Sequence, residues 1–146
     1  MRVLLGVGLA SLAVTSAAAQ TGAATPSLPT PPPLPDLLGL LRTQVPDART
    51  ISDMQVCPPV KVSRDRTRYT VMVAFSRLNT ARHFYGVRVR DGRYAELMDT
   101  QLSADMLNTP SGLMGLAARS TARQFESCRW VSPEELQAAW AQLDRR

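Results

Sequence analysis

Alternation of apolar and polar side chains between residues 68 and 98 constrains the fold more than any other feature. Arg68–Arg77 and His83–Arg90 both show the period of two that is typical of half-buried strands. Asp91–Gly92 follows, a dipeptide that suits the positive φ angles of a two-residue hairpin turn, and Arg93–Met98 then forms the return strand. We therefore predict a three-stranded antiparallel meander, with Arg49–Val56 as a further strand at one edge.

Helical patterns flank this sheet on both sides in the sequence. Asp36–Val45 carries four leucines on one broad face, and Asn108–Pro110 has the polar cap and proline that open many helices. Ser132–Glu135 matches a capping box, in which the serine and the glutamate each bond the other's backbone amide. The order predicts an α+β fold: an antiparallel sheet of three to four strands with helices packed on one face.

The first 35 residues predict export followed by a spacer. Residues 1–19 place an arginine, an apolar run and Ala17-Ala18-Ala19 in the order of a cleaved signal peptide, and the run is too short for most membrane anchors. Residues 20–35 are rich in proline and predict a semi-rigid linker. Residues 36–146 are then a single domain, secreted or periplasmic, without a membrane span in the mature chain.

The sequence contains two cysteines, Cys57 and Cys128. In an exported protein an even number of cysteines indicates disulfide bonds, and two residues permit a single pairing. Their wide spacing and the lack of neighbouring ligands match neither a metal site nor a redox motif. We predict a structural Cys57–Cys128 disulfide, no bound metal and no cofactor.

Positive charge is concentrated in the predicted sheet. The chain carries a formal net charge of +5, and nine of its cations fall between Lys61 and Arg93. Arg88, Arg90 and Arg93 are predicted on the solvent face of one hairpin, with Arg90 directly opposite Arg93. Like charges opposite each other destabilise a sheet unless an anion lies between them. These three arginines are our candidate anion-binding site; the alternative is a solvated strand face.

Catalytic groups are sparse. His83 is the one histidine of the sequence. If this protein were a metal-free phosphodiester hydrolase, His83 would have to lie beside a carboxylate, such as Glu96, and beside the strand arginines. The sequence contains no nucleophile elbow, glycine-rich phosphate loop or spaced carboxylate pair. We assign no catalytic residue. Trp130 and Trp140 are predicted to pack in the core beside the disulfide, with a ligand-stacking platform as the alternative.

Three functions follow from these features, in order of preference. The first is a non-enzymatic binding or accessory domain whose basic hairpin face meets an anionic envelope partner; charge alone does not choose between polymer, protein and nucleic acid. The second is a structural subunit that docks to a protein through its leucine helix or its proline-rich linker. The third is a small metal-free hydrolase.

Overall fold

The computed structural model describes residues 27–109 and 112–146. Within these ranges the strands are β1 (Asp53–Val56), β2 (Arg68–Arg77), β3 (Thr80–Arg90), β4 (Arg93–Ser103) and β5 (Arg129–Val131). The α-helices are α1 (Leu34–Gln44), α2 (Leu113–Phe125) and α3 (Pro133–Asp144), and short 3-10 helices cover Ala48–Thr50 and Ala104–Asn108. The predicted signal peptide and the linker as far as residue 26 lie outside the described residues.

All five strands form one antiparallel sheet in the order β4-β3-β2-β1-β5. The α+β class is confirmed, and so is the predicted hairpin register: Val89 pairs with Tyr94, and Arg90 pairs with Arg93. β1 is not an edge strand, because β5 pairs along its free side. The sheet thus exceeds the predicted three to four strands by this one short strand.

The larger core lies between one face of the sheet and helices α1 and α3. Alternate residues of β2 and β3, from Tyr69 to Phe75 and from Tyr85 to Val89, supply the sheet side. From α1, Leu37, Leu38 and Leu41 are at most 1% exposed. The leucine pattern of α1 therefore serves the core of this chain.

A smaller core covers part of the opposite face. Ala74 and Phe84 point away from the larger core and pack with Ala118 and Phe125 of α2. The rings of Phe84 and Phe125 have centroids 5.2 Å apart. The prediction of helices on one face is therefore correct for α1 and α3 and wrong for α2, because the strands carry a second apolar patch that α2 fills.

The predicted Cys57–Cys128 disulfide is confirmed. Cys57 directly follows β1 and Cys128 directly precedes β5, so the bond joins two neighbouring strands where they meet the smaller core. In the part of the chain that the structure describes, no helix is long and apolar enough to cross a membrane.

Two tyrosines hold the end of the predicted linker on the domain. The hydroxyl of Tyr94 donates a hydrogen bond to the carbonyl of Pro32 at 3.0 Å, and that of Tyr69 donates to the carbonyl of Thr30 at 3.2 Å. Helix α1 also begins at Leu34, inside the range predicted for the linker. The last prolines thus pack as part of the folded unit.

Candidate anion-binding face

Four cations line an open depression on the part of the sheet that α2 leaves uncovered. The depression has a volume of about 660 Å³, and its basic residues are Lys61, Arg68, Arg88 and Arg90. We call these four residues the basic face. Because the depression is open and shallow, it suits an extended anion better than an enclosed small molecule.

Strand register explains how the basic face forms. Arg68 and Thr70 of β2 pair with Arg90 and Arg88 of β3, so the three arginines project from the same side of two adjacent strands. A bridge between Val60 and Thr70 brings the loop that carries Lys61 beside them. The opposite side of the same strands is filled by the larger core, which fixes the direction of these side chains.

Arg90 lies between two other arginines. It pairs with Arg68 on β2 and with Arg93 on β4, so a row of three arginines crosses three adjacent strands. Among residues 27–109 and 112–146, no carboxylate oxygen lies within 4.0 Å of a guanidinium nitrogen of this row. Directly opposite like charges each cost a fraction of a kcal/mol, roughly 0.2–1. A bound anion would remove this repulsion.

Two carboxylates offset part of the surrounding charge. Arg88 donates to Glu96 at 2.7 Å, in an ion pair that is substantially exposed to solvent. Asp65 accepts hydrogen bonds from the Ser63 hydroxyl and the Thr67 amide, which lower its pKa below the ordinary value. Glu96 thus offsets Arg88, and Asp65 interacts electrostatically with Arg68, so among the described carboxylates neither of these two is a partner of Arg90.

The three predicted site residues are partly brought together. Arg88 and Arg90 line the same depression, whereas Arg93 continues the row across the sheet but also lines a different depression beside Asp36 and Arg146. The sequence analysis missed Lys61 and Arg68 as site residues. Arg68 lies on β2, a strand that the alternating pattern predicted, and it pairs with Arg90 on β3. A prediction of the register between β2 and β3 would therefore have identified Arg68 as a site residue.

The residues required for the hydrolase hypothesis are not brought together. His83 and Glu96 lie on different faces of the sheet, since Glu96 pairs with Arg88, five positions from His83 along β3. The Nδ1 atom of His83 is 2.8 Å from the carbonyl oxygen of Ala81, and the ring lies near Tyr85. In this arrangement Glu96 does not orient the imidazole.

The two tryptophans occupy different environments. Trp140 is buried in the larger core, with the guanidinium of Arg49 over its ring at 4.6 Å. Trp130 is 58% exposed, and Arg82 stacks over it at 4.4 Å. The prediction of core packing is correct for Trp140 and wrong for Trp130, because Trp130 projects from edge strand β5 beyond the cover of α2. Neither tryptophan belongs to the core cluster that contains the disulfide.

No cluster of three or more His, Cys, Asp or Glu side chains suited to a metal ion occurs among the residues that the structure describes. Comparison with protein-family models, with curated proteins and with solved structures finds no match.

Proposed function

We propose that this protein is an exported, non-enzymatic binding domain whose basic face holds an anionic partner in the cell envelope. The observation that supports it is the row Arg68–Arg90–Arg93, in which two arginines lie directly opposite a third and none of the three has an ion pair among the described residues. Guanidinium groups form paired hydrogen bonds with phosphate and carboxylate oxygens, so they suit the anions of envelope polymers.

The test compares two double variants of equal charge. Arg68→Gln/Arg90→Gln neutralises the centre of the basic face. The control, Arg42→Gln/Arg145→Gln, removes the same charge from exposed positions on α1 and after α3, on the other side of the sheet. Binding to DNA and to wall polysaccharide is measured over a range of salt concentrations.

The proposal expects salt-sensitive binding that the first variant loses and the control keeps, because displaced counterions contribute to affinity wherever arginines meet phosphates. Equal losses in both variants would mean that net charge alone attracts these polymers. Binding that neither variant changes would contradict the proposal.

Export carries its own prediction. A disulfide is typical of oxidising compartments, which supports a cleaved signal peptide at residues 1–19. We expect the protein recovered from the producing cells to begin at Gln20, measured by intact mass and N-terminal sequencing. A chain recovered with its first 19 residues would contradict cleavage.

The alternative functions keep different degrees of support. The leucine face of α1 does not offer a free surface for docking, since Leu37, Leu38 and Leu41 are buried within the chain. Docking through the proline-rich linker remains an alternative proposal. A hydrolase remains the third, without the His83–Glu96 pair that its mechanism requires.

A further inference from the structure

The first turn of α2 displays apolar side chains to solvent. Leu113 is 84% exposed, Leu116 is 58% exposed and Met114 is 48% exposed. Single exposed leucines are ordinary on protein surfaces, but three large apolar residues within one turn form a contiguous patch. We call these three residues the apolar turn.

The apolar turn and the basic face belong to the same side of the sheet. Helix α2 packs on Ala74 and Phe84, which point to the same side as Arg88 and Arg90 by the alternation of β2 and β3. This side therefore carries the basic face over one half of its strands and α2 over the other half.

The charges of α2 match those of the basic face. The helix contains Arg119 and Arg123 and no acidic residue. Arg119 donates to the carbonyl of Thr109 at 3.0 Å, which ties the helix to the segment before it. An anionic surface approaching this side meets the cations of the basic face and of α2, while the acidic side chains Glu96 and Glu126 lie beside Arg88 and directly after the helix.

We propose that the anionic partner is a phospholipid bilayer surface, with the basic face on the headgroup phosphates and the apolar turn inserted at the acyl boundary. This inference rests on the proposed function and specifies its partner. Membrane-surface binding combines buried apolar area with attraction to anionic lipids, and this side of the molecule provides both. A soluble polyanion would leave the apolar turn without a role.

Vesicle cosedimentation with wild type and three double variants tests the inference. Vesicles of phosphatidylglycerol with phosphatidylcholine are compared with vesicles of phosphatidylcholine alone, and heparin serves as a soluble polyanion. The first variant is Leu113→Ser/Leu116→Ser. Its control is Leu28→Ser/Leu78→Ser, which replaces two leucines that are 55% and 70% exposed elsewhere. The second variant is Arg68→Gln/Arg90→Gln.

Wild type and the leucine control are expected to bind the anionic vesicles and not the neutral ones. Leu113→Ser/Leu116→Ser should lose roughly tenfold in vesicle affinity and keep its affinity for heparin, because the apolar contribution alone is removed. Arg68→Gln/Arg90→Gln should lose about 30-fold in affinity for anionic vesicles, because each arginine contributes roughly fivefold. This variant should also bind heparin more weakly.

Failure of the inference and failure of the proposed function give different results. Heparin binding without vesicle binding would contradict the inference that the partner is a bilayer, and it would remain consistent with anion binding by the basic face. Vesicle binding that the leucine variant retains in full would also overturn the inference, since the apolar turn would not insert. Absence of binding to both would overturn the proposed function itself.

Discussion

Arg90 has an arginine directly opposite it on each neighbouring strand. Repulsion between these like charges makes Arg90 the residue of the basic face that destabilises the folded protein most. We expect Arg90→Gln to raise the free energy of unfolding by about 0.5 kcal/mol in low salt, because two like-charge pairs are removed. The gain should shrink in high salt, where exposed charges are screened. Urea denaturation at both salt concentrations measures it.

Arg145→Gln is the matched control, because this arginine is exposed just after α3, on the other side of the sheet. It should leave the free energy of unfolding within a few tenths of a kcal/mol of wild type. A loss of stability in Arg90→Gln at low salt would show that Arg90 has a favourable partner. The interpretation of Arg68, Arg90 and Arg93 as a row of mutually repelling charges would then be wrong.

Tyr94 joins the proline segment to the sheet through a partly buried hydroxyl. Burial raises the pKa of Tyr94 above the ordinary value of 10.0. A raised pKa in the folded state means that the stabilisation is complete below pH 10 and is lost as the pH rises further, because the unfolded chain ionises first. Burial also raises the pKa of Tyr69 and Tyr85, so the three share this alkaline loss.

We therefore expect Tyr94→Phe to cost about 1 kcal/mol at pH 7, from the lost hydrogen bond to Pro32. The same variant should lose less stability than wild type as the pH rises above about 10, since one titrating group is gone. Denaturation curves across this range decide. An unchanged alkaline slope would mean that the Tyr94 hydroxyl is exposed to water in the folded protein.

At the scale of elements, α1 and α2 each contain a helical glycine in a different environment. A Cβ at Gly39 would lie 3.5 Å from Leu143 Cδ1, an ordinary contact. A Cβ at Gly115 would lie 2.8 Å from the carbonyl oxygen of Thr109, which is too close. Gly115 thus permits α2 to approach the segment before it.

These environments predict opposite effects of the same substitution. Gly39→Ala should stabilise the protein by roughly 0.5–1 kcal/mol, from helix propensity alone. Gly115→Ala should destabilise it by about 1 kcal/mol or more, because backbone must move. Thermal unfolding of the two variants side by side provides the measurement. Stabilisation by both would show that α2 does not contact Thr109 closely.

Local patterns predicted most of the elements, and non-local packing decided the rest. The hairpin at Asp91–Gly92 and the cap of α3, where Ser132 accepts from the Glu135 amide at 3.1 Å, follow from adjacent residues. The carboxylate of Glu135 does not return to the cap, because it pairs with Arg129. β5 has three residues, too few for a periodic signal, and it forms because β1 offers a free edge.

The candidate site follows the same division. Arg90 and Arg93 were predicted as neighbours because a two-residue turn joins their strands directly. Arg68 needed the register of β2 against β3, which shifts at an irregularity between Phe75 and Arg77 that alternation does not reveal. The position of α2 depended on which apolar residues the sheet left uncovered, so the apolar turn was beyond sequence analysis.

For the whole molecule, the disulfide is the largest single contribution that we assign. Cys57 and Cys128 are 71 residues apart. Closing a loop of that length reduces the conformational entropy of the unfolded chain and raises the free energy of unfolding by about 4 kcal/mol at most. We expect Cys57→Ala/Cys128→Ala to lose most of that amount in guanidinium denaturation. Reduced wild-type protein is the control and should match the variant. A loss below about 1 kcal/mol in both would mean that the unfolded state remains compact without the bond.

The position of the disulfide also decides which parts of the molecule bear a mechanical load. A pull applied to the chain before Cys57 and after Cys128 passes from one sulfur to the other and bypasses the residues between them. Those residues include β2, β3, β4 and α2, which carry the basic face and the apolar turn. While the bond is intact, tension that separates α1 from α3 therefore does not stretch the backbone of the segment that forms the binding side of the protein.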